Sequence, residues 1–243
     1  MTRSISIIIP AYNEEKRLPS TLEKILHYLD GSDWSFAEVV VVDDGSADGT
    51  AAVAERFAEA RPMIRIIRNP GNRGKGYSVR HGILEAKAEW SLFSDADLSA
   101  PIEELEKLWE AARKSGAAVA IGSRALNRKL IGVHQSSFRE YGGRLFNLVL
   151  RAITGLPFWD TQCGFKLFDG AAAREIFSRQ RAEGFGFDAE VLFIARCLGY
   201  KIVEVPVRWN HVEGTKMRLF SDTLRMVLDL LTTRWNQLLG RYR

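Results

Sequence analysis

Short, largely apolar runs alternate with segments of helical period through the first half of the chain. Ile5–Ile9 is a β-branched run that stops at Pro10, after which Leu18, Leu22, Ile25, Leu26 and Leu29 recur at the spacing of one helix face. Val39–Val42 is a fully apolar strand ending in Asp43-Asp44-Gly45-Ser46, with an Ala-rich helix from Ala51 behind it. Ile64–Ile67 reads as a third strand and Tyr77–Lys87 as a helix behind a Gly-rich loop. Trp90–Phe93 and Ala117–Ile121 are further strands, separated by a helix that carries Pro101 near its first turn. Continuous apolar strands alternating with amphipathic helices predict an α/β fold with a mostly parallel central sheet and helices on both faces.

The second half is less regular. Residues 125–138 read as a loop, Arg139–Ile153 as a helix, Asp160–Phe168 as a loop leading into a short strand, Phe187–Leu198 as a helix and Lys201–Val207 as a strand. From Phe220 onward, Phe220, Leu224, Val227, Leu228, Leu231, Trp235 and Leu238 make one helical stripe. Such a stripe either packs onto the rest of the chain or lies in a membrane interface.

Composition narrows the function classes. At 243 residues with 46% hydrophobic content, a large core is within reach. Cys163 and Cys197 have no metal-ligand spacing and no disulfide framework around them, so both read as small core residues in a reducing compartment. Met1-Thr2-Arg3-Ser4 leads directly into a strand and no apolar run reaches the ~20 residues of a spanning helix, which predicts a soluble or peripheral protein. The formal charge is +4, and residues 208–243, with seven basic and three acidic side chains, hold the whole excess. That asymmetry points to an anionic partner at the C-terminus. Nucleic acid is disfavoured, because the electrically neutral first 207 residues offer no basic groove.

Ligands of parallel sheets bind outside the carboxyl ends of the strands, and the polar clusters fall there. Asp95 and Asp97, one residue apart after Phe93, would share a face if the strand continued, and their hard oxygens suit Mg²⁺ or Mn²⁺. Asp43-Asp44-Gly45-Ser46 can accept from a base or ribose, or form a turn and helix cap. Asn72-Arg73-Gly74-Lys75-Gly76 combines close backbone approach with two cations, which suits a diphosphate. It is not a P-loop, and no strand leads into Gly-x-Gly-x-x-Gly, so a dinucleotide oxidoreductase is disfavoured. His81, His134 and His211 show no metal spacing.

The series Pro10-Ala11-Tyr12-Asn13-Glu14-Glu15, Val41-Val42-Asp43-Asp44-Gly45-Ser46, Asn72–Gly76 and Asp95-Ala96-Asp97 resembles the family 2 inverting glycosyltransferases with the GT-A fold. Gly122-Ser123-Arg124, Asp160–Phe168, Phe187-Asp188-Ala189-Glu190-Val191 and Glu213-Gly214-Thr215-Lys216 resemble its polyprenyl-phosphate hexosyltransferase branch, which includes the dolichyl-phosphate β-glucosyltransferases. The resemblance implies transfer of a hexose, from UDP-glucose or alternatively GDP-mannose or another nucleotide sugar, to a lipid phosphate; a non-catalytic nucleotide-sugar-binding protein is the rival of another class. It implies that Pro10, Tyr12, Glu14, Asp43, Asp44, Lys75, Asp95 and Ala96 serve the nucleotide. Asp95 and Asp97 would hold the metal, with Ser99 or water completing its shell. Asp160, Arg124 and Lys166 would be catalytic. Arg139, Lys166 and Lys216, with Arg208 in reserve, would receive the acceptor phosphate. Asp188 and Glu190 would contact sugar hydroxyls, Asp188 alternatively capping its helix. Residues 1–215 would then be the catalytic domain and 216–243 a basic amphipathic helix on the cytoplasmic face of a membrane.

Overall fold

The computed structural model describes residues 3–133, 137–212 and 219–242, with residues 137–140 and 219–221 described by backbone alone. Its elements run β1 (Ser4–Ala11), α1 (Leu18–Asp30), β2 (Phe36–Asp43), α2 (Thr50–Ala60), β3 (Ile64–Arg68), α3 (Lys75–Leu84), β4 (Trp90–Ser94), α4 (Glu104–Ser115) and β5 (Val119–Ser123). They continue with β6 (Ile131–Val133), α5 (Ser137–Thr154), β7 (Phe165–Asp169), α6 (Gly170–Arg179), α7 (Phe187–Cys197), β8 (Ile202–Pro206), β9 (Trp209–Asn210) and α8 (Leu219–Leu238).

Seven strands form one sheet in the order β3-β2-β1-β4-β7-β5-β8. The pleat sorts the apolar runs cleanly. Ile5, Ile7, Ile9, Val39 and Val41 face one core with α1, α2 and α4, while Ile8, Val40 and Val42 face another with α3, α6 and α7. The α/β expectation, with helices on both faces, holds.

One strand departs from the parallel pattern. β7 runs antiparallel to both neighbours, and its first residue, Phe165, pairs with Ser94, the last residue of β4. The Asp160–Gly164 segment therefore enters the sheet at the edge where β4 delivers Asp95. Other differences are local. The expected loop at 125–138 contains a 3-10 turn at Arg128–Leu130 and β6, which pairs with β9. Helix α6 was not anticipated, although Asp169 caps it by accepting from the amides of Ala171 (3.0 Å) and Ala172 (3.1 Å).

The C-terminal helix packs against α5 and α7, but not through its apolar stripe. Met226, Leu230, Thr233 and Asn236 are buried, whereas Leu224, Leu228, Leu231, Trp235 and Leu238 are 52–77% exposed. On α5, Tyr141, Leu145 and Leu148 are likewise 63–70% exposed. Two neighbouring helices thus present apolar faces outward. Among the described residues no helix is long and apolar enough to cross a membrane.

Candidate active site

Asp43 and Asp44 end β2 and are both buried. Asp43 accepts from the Ser46 amide at 3.2 Å. Asp44 is the organiser of the glycine loop: one oxygen accepts from the Asn69 side chain (2.7 Å) and the Arg73 amide (2.9 Å), the other from the Gly74 amide (2.8 Å). Asn69 is in turn 2.8 Å from His81 Nδ1. Both Asp44 oxygens thus hold protein donors, which makes this carboxylate the anchor of the glycine loop. Glu14 is similarly committed, forming a two-pronged pair with Arg17 at 2.7 and 2.9 Å. Pro10 is half-buried and Tyr12 is exposed at the same edge.

Gly74 has φ +104°, which only glycine adopts easily, and it launches α3 with Lys75 in the first helical position. A helix N-terminus behind a glycine turn is a ready anion site. Lys75 Nζ reaches across to Asp95 Oδ1 at 2.6 Å. Burial alone would lower the Lys75 pKa, but the negative charges of Asp95, Asp188 and Asp97 outweigh it and raise the group.

Asp95 lies against Gly164, and its amide donates to the Gly164 carbonyl at 3.1 Å. A Cβ on Gly164 would overlap the Asp95 carboxylate, so this glycine makes room for it. Asp97 is pushed up by burial and by the charge of Asp95, and it accepts from the Ser99 amide (2.9 Å) and hydroxyl. Ser99 therefore supports Asp97 with its hydroxyl. Leu98, at φ +46°, turns the chain immediately beyond. The Ala96 carbonyl accepts from Thr21 Oγ1 at 2.6 Å, tying this turn to α1. Among the described residues no group of three or more His, Cys, Asp or Glu assembles around a metal position. Two repelling carboxylates beside the glycine loop fit a hard divalent cation that draws its remaining ligands from phosphate and water.

Beside this pair sit two ion pairs, one with a half-buried arginine and one fully buried. Asp160 accepts from the Arg124 amide (2.9 Å), Nε (2.7 Å) and Nη2 (2.8 Å). Burial pushes Asp160 up, but the charge and hydrogen bonds of Arg124 outweigh it and hold the group below the usual carboxylate range. Lys166, fully buried, pairs with Asp188 and donates to the Cys163 carbonyl at 2.7 Å. Lys166 is therefore a buried counter-charge and does not reach outward to receive a phosphate. Asp188 does not cap α7, whose N-cap is Gly186. Glu190 does not face the cleft: one oxygen accepts from the amides of Arg181 (3.0 Å) and Ala182 (2.7 Å), the other from the Tyr242 hydroxyl (2.5 Å). Its expected sugar contact is replaced by an internal one. Burial pushes the Cys163 thiol up to about 12, so it stays protonated, while Cys197 is exposed rather than in the core.

The model of "Glycosyl transferase family 2" matches residues 6–177. The chain belongs to this family. Its relatives include the mouse dolichyl-phosphate beta-glucosyltransferase, 38% identical over 100% of this chain and 78% of that protein. The Saccharomyces cerevisiae enzyme of the same name is 38% identical over 98% of this chain and 76% of that protein. Among solved structures, glucosyl-3-phosphoglycerate synthase from Mycobacterium tuberculosis with Mn²⁺, UDP-glucose and phosphoglyceric acid superposes with a TM-score of 0.69. It is 19% identical and is matched over 95% of this chain and 79% of that one. Mannosyl-3-phosphoglycerate synthase from Rubrobacter xylanophilus gives 0.70 at 18% identity, over 98% and 75% of the two chains. The fold is thus the GT-A fold of these glycosyltransferases.

In this family 2 chain a cavity of about 590 Å³ opens beside the Arg124–Asp160 pair. Arg124, Arg128, Arg144 and Arg151 line it with Leu148 and the indoles of Trp159 and Trp209. Arg151 lies 4.3 Å over the Trp159 ring, and Arg124 5.4 Å over that of Trp209. Of the expected acceptor residues, Lys216 and the Arg139 side chain fall outside the described residues. Arg208 pairs with Glu104 and is not among the cavity-lining residues. Sequence reasoning passed over Arg128, Arg144 and Arg151. The usable signal was Arg144, Asn147 and Arg151 recurring at i, i+3 and i+7, a polar face on a helix whose other side is apolar.

Proposed function

We propose that this chain transfers glucose from UDP-glucose, with inversion, to the phosphate of a polyprenyl lipid at a membrane surface. The observation that carries this reading is the arginine-lined cavity, which adjoins both the candidate reaction centre and the outward apolar face of α5. The naming of its relatives as dolichyl-phosphate beta-glucosyltransferases supports the same substrates.

The chemistry follows from the residues. A phosphomonoester with a second pKa of about 6 is largely dianionic at neutral pH and needs cations to place it more than a base to activate it. Asp160, already bound on both oxygens by Arg124, is poorly placed to take a proton and well placed to fix that guanidinium. One phosphate oxygen forms the bond to the anomeric carbon from the face opposite the nucleotide. The carbon–oxygen bond to the diphosphate breaks, and its electron pair leaves on the β-phosphate. Asp95 and Asp97 would hold Mg²⁺ or Mn²⁺, which when bound neutralises charge on that leaving group. Lys75 lies within reach of the same diphosphate once it releases Asp95.

The membrane part rests on the two outward faces. Apolar stripes on α5 and α8, flanked by Arg225, Arg234 and Arg241, have the character of an interfacial surface on an anionic leaflet. On this reading 216–243 would be the seat, on the cytoplasmic face of a bilayer, of a catalytic domain formed by 1–215. Leu228→Asp with Leu231→Asp changes only exposed positions. Each leucine lost from the interface removes about 1.5–3 kcal/mol, so binding to vesicles containing phosphatidylserine should fall roughly 100-fold or more. Unchanged flotation by the folded double variant would refute the surface.

The activity test is a panel of UDP-glucose, UDP-galactose and GDP-mannose with polyprenyl phosphate and Mn²⁺ or Mg²⁺. Lipid-linked glucose from UDP-glucose alone is expected. Transfer to a soluble sugar but not to lipid phosphate would overturn the acceptor, and hexose from GDP-mannose would overturn the donor. Arg144→Ala and Arg151→Ala should each raise KM for the lipid about tenfold, the loss of one charge-assisted hydrogen bond, with UDP affinity unchanged.

A further inference from the structure

The outward-facing C-terminal helix is joined to the donor loop by an unbroken series of polar contacts that starts from two buried side chains, Tyr242 and Glu190. At its far end, Tyr242 is 1% exposed, with its ring 6.3 Å from that of Phe193, and its hydroxyl receives the Asn236 amide at 3.2 Å and donates to Glu190. Glu190 is also 1% exposed, and its other oxygen holds the amides of Arg181 and Ala182. Those residues open the segment 180–186, which grips the glycine loop from behind. Gln180 donates to the Gly76 carbonyl at 2.9 Å, and the Tyr77 amide donates to the Glu183 carbonyl at 3.1 Å. The fit is tight: a Cβ on Gly74 would lie 2.5 Å from the Glu183 oxygen, and one on Gly76 2.5 Å from the Ala182 oxygen. Asp229, about two turns before Asn236 on α8, lies against Gly186 at the other end of the same segment.

We propose that Tyr242 and Glu190 are positioning residues for the donor: through segment 180–186 they set the glycine loop and Lys75 at the spacing a nucleoside diphosphate requires. The C-terminal helix is then a structural part of the nucleotide site as well as the surface-facing element. None of these side chains touches substrate. Their effect passes through backbone amides and carbonyls, so a hydroxyl at the C-terminus governs donor affinity. The inference rests on the reading of Asn72–Gly76 as the diphosphate loop.

Tyr242→Phe in the full chain deletes one oxygen and keeps the ring. It should accelerate amide exchange at Arg181, Ala182 and Tyr77 in the unliganded protein. It should also weaken binding of UDP with Mn²⁺ about tenfold by calorimetry and raise KM for the donor equally, leaving kcat and KM for the lipid unchanged. Glu190→Gln, which keeps an acceptor for the amides and a partner for the phenol, should stay within about threefold of wild type, whereas Glu190→Ala should match or exceed Tyr242→Phe. If Tyr242→Phe does not fold, the two Glu190 variants decide the matter by the same measurements. A lower melting temperature with wild-type exchange at those amides and wild-type UDP affinity would overturn the proposal. Wild-type protein that binds no UDP would instead overturn the nucleotide reading, while the exchange measurement on unliganded protein would still decide whether the segment is held from the C-terminus.

Discussion

Lys166→Met is expected to lower stability by about 3–5 kcal/mol, because it leaves the Asp188 carboxylate buried without its partner. Lys166 is fully buried, sits between the Cys163 carbonyl and Asp188, and lies 5.7 Å over the Phe93 ring, so water has no route to replace it. For a domain of this size the melting temperature should fall by roughly 6–20 °C. The double variant Lys166→Met/Asp188→Leu removes both charges and should recover most of that loss, since an apolar replacement of a buried pair is often neutral or better. Thermal unfolding of the two single variants and the double tests this directly. A single variant as stable as wild type would mean that the pair is not a buried charge couple. The activity of the double variant is informative separately: Asp188 contributes to the negative field on Lys75, so transfer should stay low even with stability restored.

Gly164→Ala should leave the fold largely intact and remove function. The new methyl must displace the Asp95 carboxylate, which rests directly on this glycine. If Asp95 holds the cation opposite the leaving diphosphate, its displacement should cost about 10²- to 10³-fold in turnover, the scale of losing one preorganised group that stabilises developing charge. Mn²⁺ binding followed by electron paramagnetic resonance should weaken in parallel, with UDP alone bound nearly as before. Wild-type Mn²⁺ affinity in Gly164→Ala would separate Asp95 from the metal.

Much of this was legible from residue order, and what was not has a physical reason. Ile5–Ile9 and Val39–Val42 announce buried strands because short β-branched apolar runs have few other fates, and the sheet edge then gathers Asp43, Lys75 and Asp95. The reversed direction of β7 was not legible, since a five-residue strand carries no mark of its polarity. Yet that reversal is what sets Gly164 against Asp95. Helical period groups Leu224, Leu228, Leu231 and Trp235 on one face but is silent on whether the face meets protein or solvent. Here the less apolar face, with Thr233 and Asn236, turned inward because Glu190 and Tyr242 supply polar partners there. Lys166 and Arg144 looked alike as cations in sequence; only packing made one a buried counter-charge and the other a cavity wall.

Helix α5 carries Arg144, Asn147 and Arg151 toward the cavity and Tyr141, Leu145 and Leu148 toward the outside, with Leu148 at the rim of both. A helix with its side chains is about 10 Å across, so at the proposed membrane surface one rod would fix the height at which a headgroup meets the reaction centre above the lipid tails. Only the phosphate and the first carbons of an isoprenoid need to rise that far. On the proposed reading the remainder of the tail would stay in the bilayer. An enzyme seated this way would measure its acceptor by depth of immersion and would have no ruler for tail length.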